Sequence, residues 1–151
     1  MSTQTQSPEG SPPLQAVPAD FTPFETRSRF VQLCGPMYEK VFEDGTMGLG
    51  LLLEEKHLNQ LDVPHGGILL LLADNAMGRA LTHQSNWTKQ YLTLALNSQF
   101  ISLAKPGDFI YAKPIIHRIG KRIAFIDCDI FAGEKKVFHA SGTFALTEKT
   151  P

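Results

Sequence analysis

The stretch His65-Gly66-Gly67-Ile68-Leu69-Leu70-Leu71-Leu72-Ala73-Asp74-Asn75-Ala76-Met77-Gly78-Arg79-Ala80-Leu81 decides the fold. Two adjacent glycines precede a long apolar run broken by one carboxylate, Asp74. The run predicts a helix from about Gly66 to Leu81 or His83, roughly 24 Å long at 1.5 Å per residue. A helix apolar on nearly every side belongs at the centre of a fold rather than on its surface. At its start, glycine carries no Cβ, so another group can approach the backbone closely. The first N–H groups there lack intrahelical partners and carry the positive end of the helix dipole. Such an end suits an anion or an oxyanion. About two turns on, Asp74 sits among leucines and alanines, and burying a charge without a partner is costly. Oxyanion donors and an activated carboxylate are the two parts needed to hydrolyse an acyl bond.

Outward from this helix the pattern changes to strands. Before it, Phe24 to Leu33 has mixed helical spacing and ends at Gly35-Pro36, which predicts a short amphipathic helix. Met37 to Glu43 and Thr46 to Glu54 flank Asp44-Gly45, a hairpin signal. Gly48 and Gly50 lower strand propensity in the second run but let a neighbouring element come close. Lys56 to Pro64 reads as a polar loop. After the helix and a loop at Gln84 to Lys89, four strand-like runs follow: Tyr91 to Ser102, Phe109 to Arg118, Arg122 to Phe131 and Lys136 to Thr147. Their short breaks predict antiparallel neighbours. The order is that of an α+β layer, a curved antiparallel sheet wrapped around one long helix. There is neither an internal repeat nor a second domain.

Composition bounds the function. At 151 residues and net charge −1, a single domain is expected, with no electrostatic case for nucleic acid or a membrane surface. Apolar runs are far shorter than the ~20 residues of a spanning helix. Residues 1–20 are rich in Ser, Thr, Gln and Pro and lack a signal peptide's basic and apolar regions. They are expected to form a disordered tail, with the domain at 21–151. Cys34 and Cys128 have no metal or redox spacing, so they read as structural thiols in a reducing, cytoplasmic compartment. His57, His83, His117 and His139 share no ligand spacing, and no metal or cofactor is expected.

Asn59 lies six residues before His65, and Asp74 nine after. Thr93 falls in the strand after the helix, and Arg118-Ile119-Gly120-Lys121-Arg122 at a strand-to-strand turn. This constellation resembles the PaaI-like acyl-CoA thioesterases of the hotdog fold, over roughly Tyr38 to Thr147. The resemblance implies roles. Gly66 and Gly67 amides would polarise the thioester carbonyl, and Asn59 would hold the water or the acyl group. His65 would shape the loop or contact substrate. Asp74 would be general base or nucleophile, assisted by Thr93, and Arg118, Gly120, Lys121 and Arg122 would hold CoA phosphates. It also implies a homodimer, and a tetramer as a dimer of dimers. One departure stands out: Gln60-Leu61-Asp62-Val63-Pro64 lacks the glycine often found in that loop.

Plainer readings stand beside these. Asp74 could be a structural acid paired with Arg79 or a backbone amide. His65 could be a helix-entry residue bonded to backbone. The pair cannot form a dyad within one chain, because nine mostly helical residues separate them by about 12–14 Å. The basic turn could be solvated surface, and Thr93 a plain strand residue. The sequence thus predicts a thioester hydrolase acting on acyl-CoA, against a non-catalytic acyl-CoA-binding or regulatory protein of the same fold.

Overall fold

The computed structural model describes residues 14–148. In chain order the elements are β1 (Thr22–Pro23), α1 (Arg29–Cys34), β2 (Met37–Val41), β3 (Met47–Leu52), a 3₁₀ turn (Glu55–His57), α2 (Gly66–Gln84), β4 (Gln90–Phe100), β5 (Phe109–Ile119), β6 (Ile123–Ala132) and β7 (Lys135–Thr147). The strands form one seven-stranded antiparallel sheet in the order β1-β2-β3-β5-β6-β7-β4. The long helix α2 lies against β3, β4, β5, β6 and β7. This is the hotdog arrangement.

Packing explains why the Gly66 run is helical. Its buried residues come in adjacent pairs every four positions: Ile68/Leu69, Leu72/Ala73, Ala76/Met77 and Ala80/Leu81. That spacing makes one stripe along a helix. Small side chains on both layers, Ala73, Ala76 and Ala80 on the helix and Ala112, Ala124 and Ala140 on the sheet, are all buried. The sheet covers only that side. Leu70, Leu71, Asp74, Asn75 and Gly78 on the remaining face are half-buried, so the helix is not enclosed all round as its composition suggested.

The expected hairpin forms across Asp44-Gly45, with Met37 opposite Leu51 and Val41 opposite Met47. Gly50 allows close approach: a Cβ there would stand 2.3 Å from the Phe109 ring. The first helix is shorter than its pattern implied. It begins at Arg29 because Ser28 caps it, its Oγ accepting from the Val31 amide at 3.3 Å.

One expectation about the sheet is corrected. Sequential strands β4 and β5 are not neighbours; β4 pairs with β7 at the sheet edge. The connection follows β7, where Ile101 and Ser102 amides both donate to the Val137 carbonyl. It then crosses to β3, where Gly107 donates to the Leu53 carbonyl and Leu53 to Asp108. Within the segment expected as a tail, Gln15 is tied to the sheet. Gln15 donates from its backbone to the Gly107 carbonyl at 2.8 Å, and its Oε1 accepts from the Phe109 amide at 2.9 Å. The rest of the expected tail, residues 1–13, lies outside the described residues. Both cysteines are free, and burial pushes the Cys128 thiol well above its ordinary range.

Candidate active site

The approach to α2 is a pinned loop. Leu58 bridges to Pro64, and the Asn59 amide donates to the Val63 carbonyl. The Asn59 side-chain oxygen accepts from the Leu61 and Val63 amides at 2.9 and 3.4 Å. In the loop without a glycine, Asp62 takes φ 57°; Asp is among the few residues that tolerate the left-handed region. Beneath the loop, buried His57 accepts at Nδ1 from the Glu54 amide and contacts the Cys34 carbonyl through Nε2. Burial pushes its pKa below the ordinary value, so the ring is neutral and Nε2–H donates.

His65 is the helix N-cap. Its Nδ1 accepts from the Gly67 amide at 2.8 Å, which matches the helix-entry reading. The Gly67 amide is therefore engaged, whereas the Gly66 amide has no partner among the described residues. The Phe100 ring lies over Gly66, where a Cβ would come within 3.0 Å of it.

Asp74 lies about 12 Å further along the helix, eight residues at 1.5 Å each. Its Oδ1 accepts from the Thr93 hydroxyl at 2.5 Å. Arg79 does not pair with it. That guanidinium binds Glu39 of β2 through Nε at 3.1 Å and Nη2 at 2.8 Å, and its centre stands 4.8 Å from the Phe24 ring and 4.3 Å from Trp87. Asn75 turns back to the Leu71 carbonyl.

One strand serves both ends of this helix. A bulge shifts the β4–β7 register between Thr93 and Ala95. An extra residue reverses the alternation of sides, so Thr93 and Phe100 both face α2 although an odd number of residues separates them. Sequence reasoning missed this shift. Period-2 counting through Leu94 would have held the only signal.

The basic turn joins β5 to β6. Arg118, Lys121 and Arg122 are exposed, and the Gly120 amide closes the turn on the Ile123 carbonyl at 2.8 Å. Ile123 pairs with Ala145, and Ala145 with Leu92. The turn is therefore at the Thr93 end of the sheet, two strand spacings or about 10 Å across from β4. Asn59 and His65 stand at the other end.

A cluster on the sheet face away from α2 also escaped the sequence. His117 and His139 both meet Asp127 at 3.1 and 3.7 Å, and His139 and Lys136 meet Asp129 at 2.7 and 3.0 Å. Strand pairing alone brings these residues together. Among the described residues no group of three or more His, Cys, Asp or Glu could hold a metal, and no helix is long and apolar enough to cross a membrane.

Comparison with known proteins fits this geometry. The family model of the thioesterase superfamily matches residues 62–139. The chain is 31% identical over 130 residues to PA0474 of Pseudomonas aeruginosa, whose name places it provisionally among esterases; the match covers 86% of this chain and 97% of that one. The Escherichia coli PaaI protein from the phenylacetic acid degradation operon superposes with a TM-score of 0.73 at 22% identity, over 82% of this chain and 88% of that one. The BH2602 protein of Bacillus halodurans, solved with CoA, superposes with a TM-score of 0.67 at 24% identity, over 74% of each chain. These two structural likenesses show the fold. With the sequence matches, they establish that the chain belongs to the thioesterase superfamily and has the PaaI-like hotdog fold.

Proposed function

We propose that the chain hydrolyses acyl-CoA thioesters at a site completed by a second copy of itself. One observation carries the reading. Asp74 is bonded to Thr93 near one end of β4, while Gly66 packs under Phe100 at the other. A single thioester cannot touch both within one chain. Yet β4 is an uncovered edge strand with Leu92, Leu94 and Phe100 more than half exposed, and such edges pair or are protected. If two β4 strands pair antiparallel about an axis at Asn97, with the bulged Leu94 left unpaired on each, Thr93 falls opposite Phe100 of the partner subunit. Leu92 then falls opposite the partner's Ile101, itself 50% exposed, giving an apolar cross-strand pair.

In that dimer the thioester lies between the helix start of one copy and Asp74 of the other. Asp74 takes a proton from water as the oxygen attacks the carbonyl carbon. The oxyanion is held by the Gly66 amide and by the Gly67 amide once exposed His65 turns away from it. Collapse expels the CoA thiolate, which takes the proton from Asp74. The same residues serve direct attack by Asp74 with a transient anhydride. Asn59 has its amide nitrogen available to hold the water, since its oxygen is spent on the loop. Arg118, Gly120, Lys121 and Arg122 form the CoA phosphate contact, in keeping with the CoA-bound relative. A tetramer as a dimer of such dimers extends the proposal.

The test is free-thiol release from a panel of acyl-CoAs. Release that depends on Asp74 supports the reading. Tight CoA binding with no release from any member would make this a binding protein of the same fold.

A further inference from the structure

A cavity of about 370 Å³ opens beside the start of α2, between that helix, α1 and the chain at Lys56 to Leu58. Gly67 and its capping residue His65 stand on its wall, so it adjoins the helix start assigned above to the oxyanion. The rest of the wall is mainly apolar: Phe30 and Leu33 of α1, Leu58, and Ile68 and Leu71 of α2. Ser28 caps α1 and sets its start, so Phe30 and Leu33, three residues apart, fall on one side of it. They are 62% and 74% exposed. Two large apolar side chains therefore line the cavity with most of their surface in water.

The polar side chains around the cavity are bonded within the chain. Buried His57 holds the Glu54 amide and the Cys34 carbonyl. Lys56 donates to the Gly35 carbonyl and stands 3.5 Å from Glu54. His65 accepts from the Gly67 amide. What the wall leaves unmet is apolar surface, which gains from leaving water. An acyl chain begins one bond from the carbonyl carbon, within about 5 Å of an amide that holds the carbonyl oxygen. The chain of a thioester held at Gly66 and Gly67 thus starts beside this wall.

We infer that this cavity takes the acyl chain, and that Phe30 and Leu33 set specificity for an unsubstituted alkyl chain of medium length. An apolar cavity of about 150 Å³ holds benzene, so one of about 370 Å³ has room for a chain longer than six carbons. A short acyl group leaves Phe30 and Leu33 in water. A polar one gives up water for a wall whose own polar groups are taken. The inference rests on the thioesterase reading above and names the substrate class of that site.

The test measures kcat/KM for acetyl-, butanoyl-, hexanoyl- and octanoyl-CoA. In wild type it should rise about two- to fourfold for each added methylene. In the double variant Phe30→Ser with Leu33→Ser, the octanoyl-to-acetyl ratio should fall by about tenfold or more, mainly through KM. Both positions are exposed, so the fold should survive, and melting temperatures check that it does. The pair Phe30→Leu with Leu33→Met keeps an apolar wall and should keep most of the preference. Equal turnover across the series would overturn the inference while leaving the thioesterase reading in place. So would a preference that survives the serine pair, or is lost equally in the apolar pair. A serine variant of lower oligomeric mass than wild type would assign this wall to contact with a second copy, and overturn it too. Absence of thiol release from every acyl-CoA would remove the thioesterase reading, and this inference with it.

Discussion

Thr93 on β4 donates its hydroxyl hydrogen to Oδ1 of Asp74 on α2 across 2.5 Å, tying the edge strand to the middle of the long helix. The bond fixes one carboxylate oxygen and leaves the other for chemistry. Asp74→Asn keeps the size and the Thr93 contact but cannot take a proton. It should lower kcat by about 100-fold or more with little change in KM. Thr93→Val should cost less, because it frees the carboxylate without removing it. A folded Asp74→Asn protein with near-normal turnover would end the assignment.

Arg118, Lys121 and Arg122 are exposed around a turn closed at Gly120, at the same end of the sheet as Thr93. Arg122→Ala should raise KM several-fold, with kcat less affected, and should flatten the salt dependence of KM. The comparison substrate is an acyl-pantetheine thioester, which lacks the nucleotide phosphates. Equal hydrolysis of acyl-CoA and acyl-pantetheine by wild type would remove the clamp.

His57 titrates with a sign that can be worked out. Burial lowers its folded pKa below the ordinary 6.5. Above about 6.5 both folded and unfolded chains hold it neutral, and its full contribution to stability is present. As pH falls below 6.5 the unfolded chain gains a proton that the folded chain refuses, so stability is lost down to the folded pKa. The ring also holds the Glu54 amide and the Cys34 carbonyl. His57→Gln should cost about 1–3 kcal/mol at pH 7.5. It should also flatten the fall in melting temperature between pH 6.5 and 5. An equally steep fall in the variant would assign that titration elsewhere.

Much of this was legible because the strongest signals were local. The four-residue pairing of Ile68/Leu69 through Ala80/Leu81 and the Asp44-Gly45 turn depend on near neighbours. What failed depends on distance. No short-range pattern says that β4 joins β7 rather than β5, since that choice is made by the connection from Ile101 to Asp108 crossing to β3. The Leu94 bulge hides in a run that alternates plausibly without it. Glu39 drew no notice as a strand residue, yet it takes the guanidinium that was weighed as Asp74's partner. For the site, Asp74, Gly66 and His65 stood out as residues. That Gly67 gives its proton to His65, and that Tyr91 keeps an unmet hydroxyl, only coordinates could show.

The shared site has the most direct test. Gly66 and Asp74 stand about 12 Å apart on one helix, and β4 carries Phe100 beside the first and Thr93 beside the second. Antiparallel pairing of two such edges is isologous, so one contact implies its mirror. The proposed dimer therefore holds two sites, each made from the helix start of one copy and the carboxylate of the other. Asp74→Ala damages one half of both sites, and Gly66→Val damages the other half, because its side chain enters the space under Phe100. Each homodimer should be inactive. In a mixed dimer one site combines both defects and the other combines neither. After full subunit exchange half the dimers are mixed, so activity should recover to about a quarter of wild type, an estimate that follows from twofold symmetry and independent sites. Exchange itself is followed separately, with differently tagged chains. If tagged heterodimers form and thiol release stays at background, each chain builds its own site. The oxyanion donors would then have to be sought near Asp74 instead of at Gly66.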